Sequence, residues 1–165
     1  MDFQKRKPNR LKNYNYNLDG SYFTTICSHN KEHLFGEIVG DGLSVPNDIP
    51  KILLSKKGEI VKSVLWEMSL KYPNSKIDKY CIMPNHIHLI LTLQNGTENP
   101  SPTISRIIAW YEFETTKQIN NINDEKNKIW QRSFYDHIIR NEKDYSEIWN
   151  YIDTNEVKWQ SDCFY

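Results

Sequence analysis

The sequence predicts an α+β fold, an antiparallel sheet with helices packed on it. Short runs of strand formers and longer stretches of helical periodicity follow one another without a regular βαβ rhythm, which argues against a parallel sheet. The densest apolar run, residues 77–93 (IDKYCIMPNHIHLILTL), is split by Pro84-Asn85 into two halves of strand length. A proline cannot donate to a sheet ladder, so Pro84 marks a turn, a bulge or an edge.

Each element follows in order. Residues 1–20 are polar, rich in Asn and Tyr, and basic at Lys5, Arg6, Lys7, Arg10 and Lys12, as in an arm preceding a single domain at 21–165. Ser21 to Ser28 (SYFTTICS) is strand-like, with Gly20 at the preceding turn. Leu34 to Val39 reads as its hairpin partner, and Gly40-Asp41-Gly42 breaks the chain. Ile60, Val61, Val64, Leu65 and Met68 share one face of a helix over about 56–72, stopped by Pro73-Asn74. Strands follow at about 76–83 and 86–93, then a polar loop from 94 to 102. Ile104, Ile107, Ile108, Tyr111 and Thr115 line a second helix over about 103–119, with Ser101 or Thr103 suited to its N-cap. After a polar loop at 120–127, Trp130 to Ile139 is again strand-like. Asp144 is placed to cap a last helix through about Asn155, with Ile148, Tyr151 and Ile152 at helical spacing. The order ββαββαβα suggests a sandwich with its helices on one face.

The chain has 165 residues, enough for one domain with a real core. Lys+Arg and Asp+Glu are both 21, which excludes nucleic-acid binding through bulk charge and leaves room for a local basic patch. Cys27, Cys81 and Cys163 fit neither a disulfide framework nor a zinc ribbon. No apolar run has the length of a membrane span and no secretory signal is visible, so the expected compartment is a reducing cytoplasm.

His86-Ile87-His88 is the sharpest chemical feature. On a strand, residues i and i+2 project to the same face, so two imidazoles converge as ligands for a divalent metal. The pattern is short and common, and two strand histidines can equally hydrogen-bond to neighbours. Its place after Pro84-Asn85, in an otherwise apolar strand, favours a rigid site. Tyr151 and Asn155 are four apart on the last helix and share a face. A phenol can attack a phosphodiester, and an amide oxygen can bind a hard cation. Tyrosine at such spacing is also ordinary core, and Asn also ordinary at a helix C-cap.

Met83-Pro84-Asn85-His86-Ile87-His88-Leu89 resembles the signature of the HUH single-tyrosine transposases, named for His-hydrophobic-His. Ser133 to Trp159 (SFYDHIIRNEKDYSEIWNYIDTNEVKW) is similar to the second signature of their REP-associated branch, relatives of the small IS200-like insertion-sequence transposases. The likeness runs from about residue 14 to the end. It implies a ferredoxin-like, HUH endonuclease sandwich. It also implies a metal-dependent single-stranded DNA endonuclease and strand transferase that cuts beside hairpins through a 5′-phosphotyrosine. The metal ligands map to His86 and His88, with Asn155 as the third, and the ion is magnesium or manganese. The nucleophile maps to Tyr151 in Tyr151-Ile152-Asp153-Thr154-Asn155, where Glu156 stands in place of the usual proline. The partner is hairpin-bearing single-stranded DNA, and the REP-associated branch implies a monomer acting in cis. Lys5, Arg6, Lys7, Arg10, Arg106, Arg132 and Arg140 are the candidate phosphate contacts, and Trp110, Trp130, Trp149 and Trp159 the candidate base stackers. Two alternatives remain at this point: a hydrolase whose ion activates water, and a non-catalytic hairpin-binding protein.

Overall fold

The computed structural model describes residues 19–40, 49–94, 103–123 and 126–159. The elements are β1 (Gly20–Cys27), β2 (Gly36–Val39), β3 (Lys51–Leu54), α1 (Lys56–Lys71), β4 (Ser75–Met83), β5 (His86–Leu93), α2 (Ile104–Asn123), β6 (Tyr135–Ile139) and α3 (Glu142–Asp153). The main sheet is antiparallel with order β4-β5-β1-β6. The expected α+β class is the one observed. Among the described residues no helix is long and apolar enough to cross a membrane.

β5 organises the molecule. It is central and almost wholly buried, because its alternate residues serve two different layers. Ile87, Leu89, Leu91 and Leu93 join Tyr22 and Ile26 of β1 against α1 and α2, in the larger apolar cluster. Val61, Val64, Leu65 and Met68 fill it from α1, and Ile104, Ile107, Ile108 and Tyr111 from α2. These are the stripes that the 3.6-residue period picks out. On the other face Phe23, Cys81, Met83 and Ile90 meet Ile152 of α3 and Trp159 in a smaller cluster. The helices therefore cover both faces of the sheet, not one. A strand buried on both sides needs a cover on each, and α3 supplies the second.

Four further expectations are corrected. β2 does not pair with β1, whose two edges are taken by β5 and β6. It pairs instead with β3, a strand absent from the sequence-based order, in a separate two-stranded sheet. Ser55 caps α1 by accepting from Gly58 N, and its own N–H donates to Phe35 O. That brings the chain so close that a Cβ on Gly58 would lie 2.0 Å from Phe35 O. α2 continues through 120–123, past the expected loop boundary. Strand β6 starts at Tyr135 rather than Trp130. The Trp130 segment meets the end of β1 through an isolated bridge between Trp130 and Ser28, and the Trp130 ring is buried against Phe35 and Tyr111 with Nε1 donating to Thr115. Asn141, not Asp144, caps α3, accepting from Asp144 N at 2.9 Å. Thr103 does cap α2, accepting from Arg106 N, and Ser101 lies outside the described residues.

The β4–β5 ladder carries one irregularity. Ile77 opposes Leu91 and Lys79 opposes Ile90, so Asp78 is an extra residue in β4. One extra residue reverses the parity of everything after it. Lys79, Cys81 and Met83 are thereby registered with Ile90, His88 and His86, the β5 residues on the α3 side of the sheet.

Candidate active site

The tight Pro84-Asn85 turn starts β5 at His86, and β5 alternation puts His86 and His88 on the α3 face with Ile87 opposite. Both imidazoles are fully buried. Their Nε2 atoms face each other at 3.0 Å. Asn85 turns its amide nitrogen to Lys31 O, leaving Oδ1 to accept from His86 Nδ1 at 2.7 Å. That bond leaves the lone pair of a neutral His86 on Nε2. His88 Nδ1 lies 2.9 Å from the hydroxyl of Thr25, its cross-strand partner on β1. Burial, with the second imidazole beside it, holds His88 well below the usual histidine range, so the ring is neutral. If Thr25 accepts from Nδ1, His88 also presents its lone pair at Nε2. Two lone pairs at that separation repel unless a proton or a cation stands between them. The donor set therefore fits a shared divalent ion.

Tyr151 comes from α3. Its hydroxyl is 3.2 Å from His88 Nε2, and its ring stands edge-on to Phe23 at 6.0 Å between centroids. At 38% exposure it is open to solvent, unlike a core tyrosine. Beyond the helix end the chain keeps turning, with Lys158 N bonding Thr154 O at 3.1 Å. Tyr151, Asn155 and Trp159 are thus one turn apart in sequence. Tyr151 meets His88, and Trp159 packs on His86 at 5.9 Å. Asn155 lies between them and is buried. Among the described residues no cluster of three His, Cys, Asp or Glu side chains is placed to hold an ion; the Asn155 side chain carries an amide oxygen, a donor type that suits a hard cation. Glu156, where the resemblance would have proline, does not stop this turn; it lines a cavity of about 310 Å³ with Lys62, Lys79 and Asp153.

Of the nearby tyrosines, Tyr135 on β6 is exposed and stands edge-on to the same Phe23 ring at 6.4 Å, opposite Thr25, and Tyr145 stacks on Trp149. Of the arginines, Arg132 follows Gln131, whose N–H bonds Cys27 O at the His86 end of the sheet. Arg140 follows the far end of β6, and Arg106 is on α2, across the sheet. Lys5, Arg6, Lys7 and Arg10 lie outside the described residues. Trp130 and Trp159 are buried, Trp110 packs edge-on to Tyr72, and Trp149 lies beneath Lys79. Trp66, passed over in the sequence, is the most exposed tryptophan at 70%. Sequence reasoning also missed Thr25 and Asn85, the residues that orient the imidazoles. Asn85 had a signal in its place beside His86; Thr25 had none, because only the β1–β5 register brings it there.

A family model described as "Transposase IS200 like" matches residues 45–155. An uncharacterized protein of Haemophilus influenzae is 35% identical over 97% of this chain and 93% of its own length. A REP-associated tyrosine transposase of Escherichia coli K12 is 40% identical over 83 residues, half of this chain and 45% of that one. A solved REP-associated tyrosine transposase bound to a REP hairpin superimposes with a TM-score of 0.59 at 24% identity, covering 91% of this chain and 74% of that one.

Proposed function

The chain belongs to the IS200-like transposase family, and on that premise we propose that it cleaves and rejoins single-stranded DNA beside hairpins, with Tyr151 as nucleophile. The observation that carries this reading is the Tyr151 hydroxyl 3.2 Å from His88 Nε2, at the point where the two imidazoles converge. His86, His88 and Asn155 would hold a divalent ion such as magnesium or manganese, which would supply Lewis-acid polarisation of the scissile phosphate.

The chain's own residues do the rest. Asn85 and Thr25 fix the two rings, so the ligand atoms need no reorganisation. The Tyr151 hydroxyl lies beside His88 Nε2 and its residue is open to solvent, so the phenol would be within reach of a phosphate held at the histidine pair. Tyr151 Oη then bonds to phosphorus as the P–O3′ bond breaks. The phenol loses its proton and the departing oxygen gains one, leaving a 5′-phosphotyrosine and a free 3′-hydroxyl. A second 3′-hydroxyl reverses the step, so a strand is transferred without an external energy source. Arg132 and the basic segment Lys5 to Lys12 are the proposed phosphate contacts, in a single catalytic domain acting as a monomer.

The test is incubation of the protein with labelled single-stranded hairpins and manganese, read on a denaturing gel. We expect a metal-dependent adduct that survives denaturation, mapped by mass spectrometry to Tyr151 and absent from Tyr151→Phe. Cleavage without an adduct would favour a hydrolase. Binding without cleavage would favour a hairpin-binding protein. An adduct on Tyr135 or Tyr145 would overturn the assignment of the nucleophile.

A further inference from the structure

The bulge in β4 puts two consecutive side chains, Asp78 and Lys79, under the tyrosine helix. Asp78 accepts from Thr92 at 2.5 Å, Thr92 being registered on the α3 side of β5, and from the Tyr145 hydroxyl of α3. Lys79 pairs with Asp153 of α3, and its ammonium also lies 4.9 Å from the centre of the Trp149 ring. Tyr145 and Asp153 are eight residues apart, so the two ties are about 12 Å apart along the helix. Tyr151 lies between them. Trp149 and Asp153, the two partners of Lys79, stand two residues before and two after it.

We propose that Lys79 is a positioning residue for the transesterification, setting the position of α3 along β4 so that the Tyr151 phenol meets the histidine pair. This rests on Tyr151 being the nucleophile. Three observations carry it. The apolar contact beneath α3 is mostly partial: Ile152 is the one fully buried apolar side chain of the helix, and Tyr145, Ile148 and Trp149 pack half-buried around it. Apolar contacts are non-directional and fix the axial position of a helix poorly, whereas an ion pair and a cation–π contact from one side chain fix a point. The position of Lys79 also depends on the bulge, for in a regular strand it would share the face of Ile77, two residues before it, and could not reach α3. The Lys79 and Asp153 side chains are 25% and 59% exposed, so the pair adds little to stability; its role is geometric.

The test compares full-length wild type, Lys79→Met, Lys79→Arg, Lys79→Asp and the charge exchange Lys79→Asp with Asp153→Lys. Adduct formation with a labelled, single-strand-flanked DNA hairpin is measured at saturating DNA and manganese, beside hairpin affinity and thermal midpoint. Lys79→Met should lower the adduct rate about 100-fold, the scale of a 1 Å misplacement, with affinity and midpoint close to wild type. Lys79→Arg should keep most of the rate, and the exchange should recover much of what Lys79→Asp loses. A wild-type rate in Lys79→Met would overturn the proposal. So would a loss of hairpin affinity matching the loss of rate, which would make Lys79 a phosphate contact. A second readout needs no activity: 3-fluorotyrosine at position 151, whose ¹⁹F shift reports its packing on Phe23. The signal should move in Lys79→Met and return in the exchange. If wild type forms no adduct, or forms it on another tyrosine, the proposed function fails while the ¹⁹F signal still decides whether Lys79 positions Tyr151. An unmoved signal would overturn that.

Discussion

On the face covered by α1 and α2, Ile87, Leu89 and Leu91 meet two helices through apolar contacts alone, and nearly every participant is fully buried. On the face covered by α3, the same strand presents His86 and His88. There a smaller apolar cluster around Ile152 is joined by polar ties: Lys79 to Asp153, Asp78 to Tyr145, and His137 to Asp144 at 2.9 Å. The first face stabilises by area, at about 25 cal/mol per Å² buried. The second contributes less area and defines positions instead. One sheet thus separates stability from geometry by side, and substitutions on the two sides should fail in different ways.

The largest contrast comes from the histidines. His88→Ala or His86→Ala should reduce adduct formation to background while the protein stays folded, as checked by circular dichroism beside the gel assay. Nicking at the wild-type rate under limiting manganese would place the site elsewhere. Leu89→Ala, one residue from His88 and on the opposite face, should do the reverse. It should cost about 2–5 kcal/mol in urea unfolding, while the folded fraction keeps its activity per molecule.

A smaller effect sharpens the first face. Glu112 of α2 has a buried Oε1 without a hydrogen-bond partner, and burial raises its carboxyl to about 7. Between the ordinary glutamate range and that value the folded chain keeps a proton that the unfolded chain has lost. Stability should therefore fall as pH rises through that window, by roughly 3 kcal/mol at pH 8. Glu112→Gln should flatten the dependence of the thermal midpoint on pH between 5 and 8; an unchanged slope would reject this account. The smallest effect belongs to the second face. The hydrogen bond from His137 holds Asp144 below the usual carboxylate range. Asp144→Asn should cost no more than about 1 kcal/mol at neutral pH, and the difference from wild type should vanish as pH falls through the lowered carboxyl value.

Much of this was legible in the sequence. The α1 and α2 stripes follow from the 3.6-residue period, and the convergence of His86 and His88 from strand alternation. Tyr151 could be singled out because Asn155 lies one turn on. The separate β2–β3 hairpin was not legible, since four-residue strands carry little pattern, and the choice of partner depended on β1 having no free edge. The bulge was not legible either: IDKY reads as ordinary strand, and only the register against Leu91 and Ile90 exposes the extra residue. With the bulge hidden, so were Lys79 and the side on which α3 packs. Thr25 depended on the β1–β5 register in the same way.

The alternation of β5 also bears on how such a chain can change over generations. Eight consecutive residues encode two messages, one in the odd positions and one in the even. A point substitution can alter one without touching the other, but loss or gain of a single residue would exchange them, sending imidazoles into the oil and leucines toward α3. A lineage released from selection for cleavage would be free to drift at 86 and 88 while 87, 89 and 91 stayed apolar. The ratio of change between those two sets would therefore record whether the chemistry is still in use.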